Sequence, residues 1–515
     1  MAPGLALEAP RGRAAISPAE IHDRKLALAS GGKIPSNVEW YASLSDAERG
    51  RLSGSVRRKP TRTLSGVAVV AVMTAPSACP HGRCTYCPGG VEFGTPQSYT
   101  GEEPSALRGA QFGWDARTIT EHRLSVLDTI GHPTSKVEVI LMGGTFPARP
   151  KAYRDAVVRG VLDGLNGTPS ASLSDAASAN ERSAHRLVGL TVETRPDWCD
   201  GRILPDLLDA GVTRVEIGVE CLTEEVLERV HRAHGVGDVA RATREARDRG
   251  LKVAYHLMLG LPGMDPSRDL QDARRIFSDP QFRPDMLKIY PTLVIPGTGL
   301  HEEWKAGRYA PYDTATAATL LAHIKRELPP WVRVQRIQRD IPARLIASGV
   351  RTSNLRQVAH RKLAEMGGRC RCLRCREAGR RASPPAERFV LGSIRYPAGD
   401  GVEEFLSFED PESDTVAGFL RLRFPSEATS GGLEAPVIRE LKVLGAEVDI
   451  GRRPGSPSAY QHHGFGRALV DRAEESARAS GHARLYVLSA IGTREYYRKL
   501  GFERAGPHMA KPLFA

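Results

Sequence analysis

The chain has 515 residues, 41% hydrophobic and 26% charged, with 72 Lys and Arg against 60 Asp and Glu for a formal net charge of +12. That length allows about three domains, and the composition excludes a wholly disordered, collagen-like or coiled-coil chain. The basic excess points to a polyanionic partner such as nucleic acid; no apolar run approaches the roughly 18 residues of a membrane span, so a soluble protein without membrane attachment is expected.

In chain order, residues 1–66 are polar, helix-prone and basic, ending in Arg57-Arg58-Lys59-Pro60-Thr61-Arg62. Val67–Met73 is a short continuous apolar run, as expected of a strand buried on both faces. Similar runs recur at Val137–Met142, Leu187–Glu193, Val212–Val219, Leu251–Leu259, Met286–Tyr290 and Trp331–Ile337, with helical patterns such as Leu222–Ala233 and Val239–Arg249 between them. Strands alternating with helices predict parallel βαβ units over 67–345, closed into a barrel or laid in a doubly wound sheet. The stretch Asn166–Arg186 breaks this pattern and, being rich in Ser, Ala and Asn, reads as a surface loop insertion. Residues 346–386 form a basic linker, whose part Arg361–Arg381 holds eight basic and two acidic residues. From 387 to 515 the strands alternate like hairpins (Arg388–Tyr396, Glu404–Phe408, Val416–Phe424, Val437–Val448), and a glycine turn, a helix and further strands follow, which predicts a separate α+β domain.

Six of the eight cysteines fall in two tight clusters. In a chain read as lacking a secretion signal, such clusters indicate metal sites and a reducing, cytoplasmic setting. The first runs Cys79-Pro-His-Gly-Arg-Cys84-Thr-Tyr-Cys87. Three thiolates on one loop suit either a 4Fe–4S cluster with one open iron or a structural zinc loop with a distant ligand. Their place after the first barrel strand favours the cluster. The spacing resembles the radical S-adenosylmethionine signature, lengthened by one residue. Gly143-Gly144-Thr145 follows the next strand, where glycines let backbone carbonyls approach the cofactor's ammonium group, or merely form a turn. Glu193, Arg195, Glu216 and Glu220 end later strands, on the rim where parallel barrels carry their sites; each is a candidate for ribose or carboxylate binding or a simple ion pair. The second cluster, Cys370-Arg-Cys372-Leu-Arg-Cys375, suits zinc with a fourth ligand such as His360, or a second iron–sulfur cluster. Arg371 and Arg374 between its cysteines are candidate phosphate contacts or a solvated basic face.

Gln461-His462-His463-Gly464-Phe465-Gly466-Arg467 opens a helix and presents backbone N–H groups to an anion. It resembles the pyrophosphate loop of GNAT acetyltransferases, which bind acetyl-CoA. Gly492–Phe502 resembles the end of that fold, so Tyr496 or Tyr497, Tyr497 before Tyr496, is a candidate general acid toward the leaving thiolate. Glu440 is a candidate base.

Taken with Gln97–Gly101, Met142–Phe146, Glu193–Asp197, Leu287–Thr292, Gln338–Pro342 and Gly492–Lys499, these motifs, in this order, resemble the catalytic third subunit of the Elongator complex in its stand-alone prokaryotic form. The resemblance runs from about Lys33 to the C-terminus. It departs after Glu216–Val219, where Glu220 and Cys221 replace a Gln and a small hydroxyl residue. It implies a partial TIM-like barrel joined to a C-terminal α+β GNAT domain. It implies that Cys79, Cys84 and Cys87 hold the 4Fe–4S cluster, and that S-adenosylmethionine, acetyl-CoA and an electron donor serve a wobble-uridine modification yielding 5-carboxymethyluridine in tRNA. Lys288 and Tyr290 are then candidate contacts to acyl-CoA or nucleotide, or packing residues. Arg57, Arg58, Lys59, Arg62, Arg371 and Arg374 are the expected tRNA contacts, and a homodimer is a possible state. A lysine acetyltransferase using the iron–sulfur part as scaffold is the competing expectation.

Overall fold

The computed structural model describes residues 18–29, 34–35, 37–45, 48, 63–381, 383–427, 430–446 and 459–514. The expected contacts Arg57, Arg58, Lys59 and Arg62 lie outside the described residues. The apolar runs form a seven-stranded sheet in sequence order. Its strands are β1 (Val67–Met73), β2 (Lys136–Met142), β3 (Arg186–Thr194), β4 (Arg214–Glu220), β5 (Lys252–Leu259), β6 (Met286–Pro291) and β7 (Arg333–Arg336). Every neighbouring pair is parallel. The order is that of an open barrel, with β1 and β7 as unpaired edges.

A second, mostly antiparallel sheet follows: β8 (Val390–Ala398), β9 (Gly401–Asp410), β10 (Thr415–Phe424), β11 (Val437–Val443), β12 (Arg484–Val487), β13 (Glu503–Ala505) and β14 (His508–Pro512). β11 and β12 pair in parallel over Val437–Ile438 alone, and the helix Phe465–Ala479 packs its Leu469, Val470, Ala473 and Ala477 into the core between them.

The second sheet docks on the N-terminal ends of the barrel strands through buried ion pairs. Arg439 on β11 reaches Asp285, just before β6, with both terminal nitrogens (2.7 and 2.8 Å), and also Glu403 on β9 (2.7 Å) and the Leu251 carbonyl (2.9 Å). Arg421 on β10 reaches the Trp331 carbonyl (2.7 Å) and Glu440 (2.9 Å). Arg423 reaches Asp248 (2.6 Å). All these side chains are at most 2% exposed.

The insertion is more ordered than the loop expected from its composition. It holds a helix, Leu173–Asn180. Buried Asn180 ties both its ends by bonding Asn166 (2.8 Å), the His185 carbonyl (3.1 Å) and the Leu187 amide (2.8 Å). Small polar residues here satisfy backbone groups rather than leave them in solvent.

Asp285→Ala strands Arg439 and Arg421 without their shared anion. The expected cost is about 3–5 kcal/mol, read as a lowered denaturation midpoint of the full chain. Acid has a related effect. Glu138 and Glu440 have pKa values held at about 2, below the usual 4.5, because neighbouring cations outweigh the burial that would raise them. Their stabilisation is complete above pH 4.5 and is lost as pH falls toward 2. Thermal melts between pH 7 and pH 2 should show that loss, and Glu440→Gln should reduce it.

Candidate functional site

Because the strands are parallel, their C-terminal ends meet on one rim, and there a cavity opens. It is lined by Cys79, Gly144, Thr145, Glu193, Arg195, Glu216 and Lys288, residues that the sequence scatters over 210 positions, from 79 to 288. Gly143 and Gly144 both take positive φ (130° and 92°), conformations that L side chains rarely adopt. A Cβ at Gly143 would lie 2.3 Å from Thr74 Oγ1, and one at Gly144 would lie 3.8 Å from the Cys79 sulfur.

Cys79, Cys84 and Cys87 sit on the loop after β1. Cys79 is half-buried, and Cys84 and Cys87 are buried. Polar groups surround them: Gln97 Nε2 donates to Cys87 Sγ (3.1 Å), Ser98 Oγ lies 3.3 Å from the same sulfur, and Arg232 Nη1 lies 3.7 Å from Cys84 Sγ. Burial pushes the Cys84 thiol pKa up, and Arg232 opposes it. Such donors are what a thiolate-bound cluster needs.

The rest of the rim is preorganised. Glu193 accepts from the Tyr99 hydroxyl (2.9 Å) and the Gly143 amide (3.4 Å). Arg195 is clamped on Asp197 (2.9 and 3.1 Å), yet its buried Nη1 has no partner. Glu216 is fully buried, bonded by Lys288 and by His256 Nε2 (3.1 Å). Burial would raise the Glu216 carboxyl pKa, but Lys288 first, then His256 and Arg214, hold it well below the usual range. Sequence reasoning missed His256, Arg336 and Arg339, which also line the cavity. Their signal was present: His256 belongs to the alternate residues of β5 that face inward, Arg336 ends β7, and Arg339 follows it.

Paired charges continue inward. Arg214 bonds Glu138 and lies 3.4 Å from Glu216, and Lys442 on β11 lies 3.9 Å from Glu138 and 3.3 Å from Glu440. Glu440 therefore belongs to the interdomain charge lattice. Arg421 and Lys442 thus stand beside the carboxylate that the sequence offers as a base.

The glycine motif lies at the other end of β1. Gln461 Nε2 donates to the Ser65 carbonyl (3.0 Å), two residues before that strand. A seven-residue strand spans about 20 Å, so this is the order of separation between motif and rim. Gly464 caps the helix Phe465–Ala479 at φ 85°. Phe465 stacks on Phe408 (4.4 Å), and Arg467 is engaged by Asp471 on its own helix (2.8 Å). His462 and His463 are exposed. A Cβ at Gly466 would meet the Tyr496 hydroxyl at 2.9 Å. Tyr496 thus faces the loop. Tyr497 is 6% exposed and packs edge-on against Phe502 in the apolar core. Aromatic packing takes the Tyr497 ring, and Tyr496 is the one whose hydroxyl lies at the loop.

At the junction, His360 Nε2 lies 3.8 Å from Cys375 Sγ. Hydrogen bonds from Cys370 and Cys375 push the Cys372 pKa down. Arg371 is exposed but paired with Asp414 (2.9 Å), and burial lowers the Arg374 pKa to about 10. Arg371 thus has a structural tie that the sequence did not reveal, and Arg374 is half-buried.

Residues 74–275 match the radical SAM superfamily, 284–365 the radical SAM C-terminal domain and 396–502 the acetyltransferase (GNAT) family. The chain is therefore an acyltransferase-type enzyme that joins a radical SAM half-barrel to a GNAT domain. It is 45% identical over 490 residues to a tRNA uridine(34) acetyltransferase of Methanocaldococcus jannaschii, covering 93% of this chain and 90% of that one. It is 43% identical over 497 residues to Elongator complex protein 3 of Homo sapiens, covering 93% and 90%. The solved structure of the Methanocaldococcus infernus Elp3 with an N-terminal deletion aligns with a TM-score of 0.78 at 41% identity, over 87% of this chain and 100% of that one. The chain belongs to this family of tRNA uridine(34) acetyltransferases and Elongator complex protein 3.

Lys288→Met should leave Glu216 buried without its main cation and lower stability by about 3–5 kcal/mol. The double variant Lys288→Met/Glu216→Gln should recover most of that loss, as read from guanidinium denaturation midpoints.

Proposed function

We propose that this enzyme modifies the wobble uridine of tRNA anticodons, building 5-carboxymethyluridine from acetyl-CoA. The observation that carries the reading is the presence, in one docked body, of a cavity lined by Cys79 and the Gly144-Thr145 rim and of a glycine-opened helix faced by Tyr496. Relatives named for acetylation of uridine 34 in tRNA support it over most of the chain.

Cys79, Cys84 and Cys87 are the ligands for a 4Fe–4S cluster. Gly143, Gly144, Thr145, Glu193 and Arg195 would bind S-adenosylmethionine; the unpartnered Arg195 Nη1 suits a carboxylate and Glu193 an ammonium or ribose hydroxyl, which supports the reading. Held by these residues and reduced by an external donor, the cluster and S-adenosylmethionine would supply one-electron hydrogen abstraction at the acetyl methyl group; joining that carbon to uracil C5 would then release the C5 hydrogen as a proton and one electron. The chain's residues do the rest. The N–H groups opening the helix at Gly464–Gly466 hold the CoA pyrophosphate. Tyr496 donates its proton to the departing CoA thiolate, and the thioester is hydrolysed to the carboxylate. Lys288, held by Glu216, presents a fixed cation to the acyl or nucleotide group. A uracil ring reaches the cavity only when unstacked from its neighbours. Cys370, Cys372, Cys375 and His360 hold a structural zinc ion, and the basic segments Arg57–Arg62 and Arg369–Arg381, with Arg371 and Arg374 in the second, contact the tRNA backbone.

Anaerobically reconstituted enzyme with tRNA, acetyl-CoA and S-adenosylmethionine should yield 5-carboxymethyluridine, found by mass spectrometry of digested tRNA, together with 5′-deoxyadenosine. Cys84→Ala should abolish both. Acetylated protein lysines with an unchanged tRNA, in an enzyme carrying its iron, would sink the reading in favour of a lysine acetyltransferase. Separately, metal analysis should find about one zinc per chain, lost in Cys372→Ser while iron loading persists; equal zinc in both proteins would refute that assignment.

A further inference from the structure

The insertion 166–186 touches the helix that carries Tyr496. Glu181, at the end of its own helix, accepts from Arg494 Nη1 (3.0 Å) through one oxygen and from Arg498 Nη1 (2.7 Å) through the other. Its side chain is 11% exposed and that of Arg494 5%. The two arginines are the first and last residues of the short helix Arg494–Arg498. Four residues apart, they share one face. Tyr496 stands midway, about 200° around the helix from Arg494, so it points away from Glu181 and toward Gly466. Next to them Arg182 Nη2 lies 3.7 Å from Glu495.

The turn leading into this helix is also built onto the barrel. Ile491 joins the barrel's apolar core, where a Cβ at Gly211 would lie 2.9 Å from it. A Cβ at Gly492 would come within 2.6 Å of Arg186 Cβ and 2.9 Å of the Leu187 backbone. The anchor itself is rigid, since Asn180 pins the insertion at both ends and Ser183 Oγ donates to the Leu165 carbonyl (3.0 Å).

We propose that Glu181 is a positioning residue for acyl transfer: the barrel's insertion acts as a strap that fixes the back of the Arg494–Arg498 helix and so sets Tyr496 against the CoA loop. This rests on the proposed use of acetyl-CoA at Gly464–Gly466. The strap's ion pairs fall on the Arg494–Arg498 helix: Glu181 with Arg494 and Arg498, and Arg182 with Glu495. The strap therefore governs the placement of the proton donor and not the binding of CoA.

The test uses the full-length reconstituted enzyme and its Glu181→Gln and Arg498→Gln variants. It measures tRNA-dependent release of CoA thiol at varied acetyl-CoA, 5′-deoxyadenosine formation, and amide exchange by peptide. Glu181→Gln should lower kcat for CoA release roughly tenfold, the effect of a small misplacement of a reacting group, with KM within about twofold. Exchange should accelerate in 491–500 and stay unchanged in 465–479, and 5′-deoxyadenosine formation should persist. Arg498→Gln, which leaves the Arg494 arm, should show a smaller fall of the same kind. An unaltered kcat, a KM that rises as kcat falls, or faster exchange across the whole C-terminal domain would overturn the proposal. Unmodified enzyme that turns over no acetyl-CoA with competent tRNA would bring down the acyl-transfer reading itself, a result distinct from any the variants give.

Discussion

Asp285 holds the two halves of this enzyme together. It lies at the entry of β6, accepts from the Val253 amide within the barrel (2.8 Å), and takes both terminal nitrogens of Arg439 from the other sheet. A carboxylate and a guanidinium removed from water cost several kcal/mol each unless their geometry is close to ideal. Here the fork of Arg439 meets the carboxylate with two parallel bonds and finds further acceptors at Glu403 and the Leu251 carbonyl, so little of either charge is left uncompensated. Such a contact tolerates little sliding. It fixes the relation of the two sheets more sharply than an apolar interface of the same size would.

Docking at the N-terminal ends of the strands has a consequence for chemistry. The cysteine-lined cavity occupies the opposite rim, and the barrel interior between is lined by paired charges from Glu440 and Lys442 through Glu138 and Arg214 to Glu216 and Lys288. Barrel interiors are usually filled by branched apolar side chains. In this open barrel the charges neutralise one another and hold Glu216 and Lys288 in place at the cavity floor. A chain of paired charges thus links Lys442 of the C-terminal domain to the cavity floor.

Much of this was legible in the sequence because it depends on local pattern. Apolar runs such as VAVVAVM are strands wherever they are buried on both faces, and the cysteine spacing and Gly464-Phe465-Gly466 carry their chemistry in a few adjacent residues. Less legible was anything set by a distant partner. Tyr496 and Tyr497 are neighbours in a short helix, and only the packing of Phe502 shows which ring is consumed by the core. Glu440 looks like a base until Arg421 and Lys442 appear beside it. The insertion looks like a loop by composition until Glu181 is seen between two arginines more than 300 positions away.

The sequence by itself determined the two kinds of domain and marked the clustered cysteines and the glycine turn, because periodicity and residue spacing act over a few residues and need no partner. The tertiary structure alone decided which tyrosine meets the CoA loop, which carboxylates are structural, and how the barrel's insertion reaches the other domain. Those outcomes follow from burial and charge pairing between segments hundreds of residues apart, and a side chain's role changes with the charge placed against it.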